Sequence, residues 1–321
     1  MVSLEARAGD APVAVDKLDK DRWRCAPCAG PLTVTWEVHA RDPSVRAAAL
    51  DDTGGFCNGS SVFPRALDTG DTAFELVLRP PPVPVAGHWR VATTMPATEV
   101  DADGWGRYRV GDYEELIDHP IRLGEFCRLE FDVAGVAHEV VLAHAPRVDG
   151  ERLCRDLAAA CRAHVDLFGA LPVERYLFLV NVVESGQGGL EHRCSTLLDV
   201  ARDALPLPGD PPGRAAYLDL LALCSHEYFH LWNVKRVRPA AFVPFDLSRE
   251  VHTTLLWVFE GFTSYYDDLG LHRAGLLNRR QYLDRLARVI THVHRGRGRF
   301  RQTVTASSLD AWTRFYKQDE N

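Results

Sequence analysis

Ser225-His226-Glu227-Tyr228-Phe229-His230 is the stretch on which the reading of this chain turns. It holds the pentapeptide H-E-x-x-H in a setting that favours a helix. Leu218, Leu221, Ala222 and Phe229 fall on one apolar stripe, and Pro211 and Pro212 precede the start, so a helix is expected over 214–231. Residues four apart on a helix lie about 40° apart around its axis. His226 and His230 therefore leave one face together, and both imidazoles can reach one zinc ion at about 2.0–2.1 Å. Glu227 stands beside them, placed to take a proton from a water held by that ion. The plainer alternative is an amphipathic helix that carries two of the chain's 13 histidines by chance; the helical setting favours the metal.

A catalytic zinc takes three protein side chains and leaves one position for water. A third His six residues after His230 does not exist, because position 236 is Arg. The other arrangement takes a Glu from the next helix, expected over 252–269, and Glu260 fits it. In Leu255-Leu256-Trp257-Val258-Phe259-Glu260-Gly261-Phe262-Thr263-Ser264-Tyr265-Tyr266 it is the single carboxylate of an apolar, aromatic run. A buried lone charge needs a partner, which weighs against a surface place on an amphipathic helix. The expected metal ligands are His226, His230 and Glu260, one zinc per chain, with Glu227 as general base.

The sequence that follows the motif is more particular. His226-Glu227-Tyr228-Phe229-His230-Leu231-Trp232-Asn233-Val234-Lys235-Arg236-Val237-Arg238-Pro239 closely resembles the signature of the glycyl aminopeptidase family of zinc metallopeptidases, family sixty-one, whose members commonly carry a PDZ domain. Glu260-Gly261-Phe262-Thr263-Ser264-Tyr265-Tyr266, Leu116-Ile117-Asp118-His119-Pro120 and Gly54-Gly55-Phe56-Cys57-Asn58-Gly59-Ser60-Ser61 are further family-like runs, and the resemblance holds from about Asp16 onward. It implies the same three ligands and the same base. It also implies a thermolysin-like (gluzincin) catalytic fold and an aminopeptidase that prefers Gly or Ala.

Gly186-Gln187-Gly188-Gly189-Leu190-Glu191-His192 follows an apolar run over 176–183 and so lies at a strand exit; taken alone it reads as a Gly-rich turn with a solvated Glu. It is similar to the G-A-M-E-N loop of related zinc aminopeptidases, with His192 in place of Asn. That likeness implies that Gly188 and Gly189 let an edge backbone pair with an extended substrate, and that Glu191 holds its free α-amine. The family's transition-state Tyr lies in a segment resembling Y-Y-x-K-G. This sequence reaches Asp319-Glu320-Asn321 without one and without a PDZ domain, so a fragment truncated at its C-terminal end, and incomplete at its start, is expected. Tyr265 or Tyr266 is a substitute, though helix packing explains both. An inactive zinc-binding module and an endopeptidase are the competing functions; Glu191 separates the latter from an aminopeptidase.

Composition bounds the rest. The 321 residues, 46% hydrophobic and 25% charged, suffice for two cores. A net charge of −7 argues against nucleic acid as a partner; the basic run over 294–301 is expected to be a solvated loop. No stretch is long and apolar enough for a membrane span. Peptides are the expected partners, oligomeric state is open, and a cytoplasmic location is expected, with the periplasm as alternative. Eight scattered cysteines, including Cys25 and Cys28, form neither a disulfide scaffold nor a metal motif. Asn58-Gly59-Ser60 formally matches a glycosylation acceptor.

The pattern changes near residue 122. Earlier, short β-type runs (32–38, 74–78, 89–92) alternate with turn residues; later, strands (140–143, 176–183) mix with helices (151–168, 214–231, 252–269, 278–293). The expected fold is α+β: an antiparallel β domain over 1–122, then a metallopeptidase domain over 123–321. In the linker between ligands, Asn233, Lys235, Arg236 and Arg238 either grip a peptide carboxylate or pair with Asp246 or Glu250 at the surface.

Overall fold

Tyr176-Leu177-Phe178-Leu179-Val180-Asn181-Val182-Val183 is almost unbroken apolar sequence, the pattern of a strand covered on both faces. In the computed structural model, which describes residues 1–67, 72–85, 87–144 and 147–316, it lies in the strand Arg175–Val183 at the centre of a five-stranded sheet. From one edge to the other the strands are Phe126–Val133, Val136–Ala143, Arg175–Val183, Ser195–Ala201 and Gln187–Glu191. The first pair is an antiparallel hairpin turned at Ala134 and Gly135, with φ of 56° and 81°. The next two pairings are parallel, and Gln187–Glu191 closes the sheet as an antiparallel edge.

Side-chain alternation decides what each face buries. Tyr176, Phe178 and Val180 pack under a helical layer formed by Gly150–Phe168 and Ala215–Phe229, through Leu157, Cys161, Tyr217, Leu221 and Tyr228. Leu177 and Leu179 point the other way and pack, with Val141 and Leu197, on Val45, Phe56 and Ala92. The N-terminal region is thus the second cover of the sheet. The helix Gly150–Phe168 begins where the Asp149 carboxylate accepts from the Arg152 N–H, and ends at Gly169 with φ of 82°.

Before the five-stranded sheet the chain forms small antiparallel sheets, including Ser3–Ala8 beside Leu32–Glu37 and Gly54–Cys57 beside Ile121–Gly124. The architecture is therefore α+β in the expected order. Residue 122 lies inside the strand Ile121–Gly124, which also pairs with Arg90–Ala92. Asn58 is buried, so its acceptor tripeptide is not presented at the surface. Asp319, Glu320 and Asn321 lie outside the described residues. Among the described residues no helix is long and apolar enough to cross a membrane.

Two local expectations change. The Gly-rich segment, a turn when its composition is taken alone, is an edge strand, in keeping with the edge backbone that its likeness implies: Gly186, with φ of 91°, makes the bend, and Gly188 and Gly189 then pair with Asp199 and Leu198. The helix expected over 252–269 is divided into Leu256–Phe259 and Gly261–Arg273, with Glu260 at the junction. Its start is delayed because the Thr253 hydroxyl takes the Leu255 N–H.

Candidate active site

The helix Ala215–Phe229 carries Tyr217, Leu221, Cys224 and Tyr228 into the core, and this fixes the outward direction of His226. His230 caps the helix with its N–H on the His226 carbonyl, so the two rings share a face. Their Nε2 atoms lie 3.2 Å apart. Glu260 completes the group, its Oε2 lying 3.4 Å from His226 Nε2 and 3.8 Å from His230 Nε2. Bonds of 2.0–2.1 Å to a tetrahedral ion separate ligand atoms by about 3.3–3.4 Å, so a zinc-sized cation fits the triad.

The far side of each ring is held. His226 Nδ1 meets Asp267 Oδ2 at 3.2 Å, and His230 Nδ1 meets the Asn233 carbonyl at 2.7 Å. Such partners fix the tautomer and aim Nε2 at the ion. The electrostatics call for a cation at the same point. Burial acts to lower the pKa of His226, but the Asp267 and Glu260 carboxylates outweigh it and push it up to about 10.

Glu227 is buried, and its Oε2 has no hydrogen-bond partner. A buried orphan acceptor is rare and marks a place where a ligand or water belongs. Burial first, then the neighbouring Glu191 carboxylate, raises its pKa. Its carboxylate lies against the edge strand, where a Cβ on Gly189 would come 1.9 Å from Oε1. Glu191, at the end of that strand, has a carboxylate oxygen within 4.8 Å of both Glu227 and His230. Sequence reasoning thus picked out His226, Glu227, His230, Glu260, Gly189 and Glu191, and the fold brings them together; Gly188 is the next residue along the strand, beside Val45.

Residues 219–321 match the M61 glycyl aminopeptidase family, and residues 1–125 match the N-terminal domain of the M61 peptidases. The chain belongs to the M61 glycyl aminopeptidase family. It is also similar to a solved structure described as an aminopeptidase N family protein from Idiomarina loihiensis. The two are 40% identical with a TM-score of 0.96, over 100% of this chain and 54% of that one. The chain spans about half the length of that relative. No curated protein matches it.

The polar linker of this M61 chain is engaged with the fold around it. Lys235 Nζ pairs with Asp118 at 2.9 Å, and Arg236 donates to the carbonyls of Leu231, Pro172 and Arg193. Arg238 Nε reaches the Lys235 carbonyl, and Asp246 pairs with Arg249 instead. The Asn233 amide is directed at the carbonyls of Val258 and Phe259 and at Thr263 Oγ1, 3.1–3.3 Å away. These residues lock the loop between His230 and Glu260. Tyr266 stacks on Phe229, and Tyr265, 47% exposed, packs edge-on against Tyr266.

Two residues at the site escaped the sequence reading. Tyr316, after the short helix Ala311–Arg314, is 40% exposed and feels the charges of Glu260, Glu191 and Glu227. Burial and those carboxylates push its phenol up to about 12. Arg46, from the N-terminal region, lies over the Tyr316 ring with its guanidinium carbon 5.6 Å from the centroid. Neither belongs to a local pattern that points at a metal site.

Proposed function

We propose that this chain carries a zinc-dependent aminopeptidase site that removes small amino-terminal residues, Gly or Ala, from peptides. The observation that carries the reading is the convergence of His226 Nε2, His230 Nε2 and Glu260 Oε2 within 3.2–3.8 Å of one another, with the orphaned Glu227 carboxylate alongside. A purely structural zinc site has no need of such a base, which favours an enzyme over an idle binding module. His226, His230 and Glu260 would hold the metal. Zinc, when bound, polarises a carbonyl and lowers the pKa of a water it holds from 15.7 to about 7.

Glu227 takes a proton from the attacking water as the water oxygen bonds to the carbonyl carbon. It returns that proton to the amine nitrogen as the C–N bond breaks, so the leaving peptide departs as a neutral amine. The open side of the edge strand Gln187–Glu191 offers backbone N–H and C=O groups to an extended substrate. Gly189 lets that strand close on Glu227, since any side chain there would fill the gap. Glu191 presents a carboxylate for the substrate's α-ammonium group, which favours an aminopeptidase over an endopeptidase.

The test compares Gly-anilide with N-acetyl-Gly-anilide on the wild type and on Glu191→Ala. The variant is expected to lose on the order of 10²-fold in kcat/KM on the free amine and little on the blocked substrate, as one buried charge-assisted contact is removed. An unchanged ratio between the two substrates would remove the basis for amino-terminal recognition.

A further inference from the structure

Arg46 is a cation fixed beside a cluster of carboxylates. Val45, next to it, is buried on the lower face of the sheet, and its N–H bonds the Asp199 carboxylate. The Ser61 hydroxyl donates to the Arg46 carbonyl at 3.0 Å. The backbone is thereby held on both sides while the side chain stays exposed. Its guanidinium lies over the Tyr316 ring and its charge reaches Glu227 and Glu260, yet it forms no ion pair among the described residues. The nearby linker cations Lys235, Arg236 and Arg238 are all engaged.

We propose that Arg46 binds the C-terminal carboxylate of short peptides, so that the substrates of this site are di- to tetrapeptides with a free carboxyl end. The proposal rests on the aminopeptidase reading and names its substrate class. Glu191 stands at one end of the edge strand; Val45 packs beside Gly188 towards the other, with its Cγ2 3.8 Å from where a Gly188 Cβ would sit. Three strand residues span about 10 Å. An extended tripeptide spans about the same distance between its charged ends. The planar fork of an Arg matches a carboxylate in two hydrogen bonds, and the Tyr316 ring lies beside that fork, 5.6 Å from its carbon. Glu191 and Arg46 together complement a zwitterion; an internal peptide bond of a long chain offers neither charge.

Binding of Gly-Gly-Gly and of Gly-Gly-Gly-amide, measured by calorimetry on zinc-loaded Glu227→Gln, tests this without turnover. The acid is expected to bind on the order of 10- to 100-fold more tightly than the amide. Adding Arg46→Gln is expected to bring the acid down to the amide's level and leave the amide unchanged, with partial recovery in Arg46→Lys. An acid-to-amide ratio that Arg46→Gln does not alter, or an equal loss on both peptides, overturns the proposal. If wild type still cleaves Gly-anilide in that case, the aminopeptidase reading stands alone. Failure of the zinc-loaded chain to bind either peptide overturns both.

Discussion

Gly189 lies so close to Glu227 that its lack of a side chain is a condition of the carboxylate's position. A Cβ there would meet Glu227 Oε1 at 1.9 Å, and Oε1 is the movable end of a side chain rather than fixed backbone. Gly189→Ala should therefore cost little stability but displace the carboxylate from its working position. A misplacement of about 1 Å can cost about 10² in rate, so kcat on a Gly-anilide should fall by that order while the melting temperature barely moves. An unchanged kcat would show that the strand does not position Glu227. At this scale the sequence was most legible where geometry is local: His226, Glu227 and His230 follow from helical spacing alone. Glu260 was legible because a lone carboxylate in an apolar run is costly. Arg46 and Tyr316 were not, because only tertiary folding brings them near His226, His230 and Glu260, and an isolated Arg or Tyr carries no signal of its destination.

The elements behave as pairs joined by single side chains. Asn233 follows the motif helix, gives its carbonyl to His230, and directs its amide at Val258, Phe259 and Thr263 around the Glu260 junction. It therefore ties the His226–His230 pair to Glu260. Asn233→Ala should lose about 1–3 kcal/mol of stability, the cost of leaving buried carbonyls without their donor, and should weaken zinc binding as well. Parallel denaturant melts and zinc titrations check this; a variant that loses stability but keeps full zinc affinity would limit Asn233 to packing. The long amphipathic helices were readable from periodicity, with Arg279–Arg295 beginning at an Asn278–Gln281 capping box. The edge strand Gln187–Glu191 was readable only through its likeness to an aminopeptidase loop, because two adjacent glycines read locally as a turn and pairing with Ser195–Ala201 makes them extended. The break at Glu260 was hidden for a similar reason, since apolar periodicity continues across it.

At the scale of the whole molecule, the central sheet is covered by the N-terminal region on one face and the helical layer on the other, and both covers bury histidines. His164, bonded to the Ser225 hydroxyl at 2.7 Å, and His192, behind the edge strand, are each held by burial at a pKa of about 4. In the unfolded chain both titrate near 6.5. The unfolded state therefore takes up protons that the folded state refuses, and stability present above pH 6.5 is lost as pH falls towards 4. Each His should cost about 2 kcal/mol at pH 5. Urea melts at pH 7.5 and 5 on wild type and His164→Gln check the sign: the gap between them should shift by about that amount in favour of the variant at acid pH, and a constant gap would contradict it. The α+β class was readable from the change in pattern along the chain. Which face each unit covers was not, because the run from Tyr176 to Val183 is apolar on both sides. The central claim remains the metal site, and zinc content measured together with Gly-anilide hydrolysis, on this chain and on Glu227→Gln, tests it most directly. The account predicts one zinc per chain in both proteins and a turnover at least about 10²-fold lower in the variant; a chain that binds no zinc, or a variant that stays fully active, would contradict it.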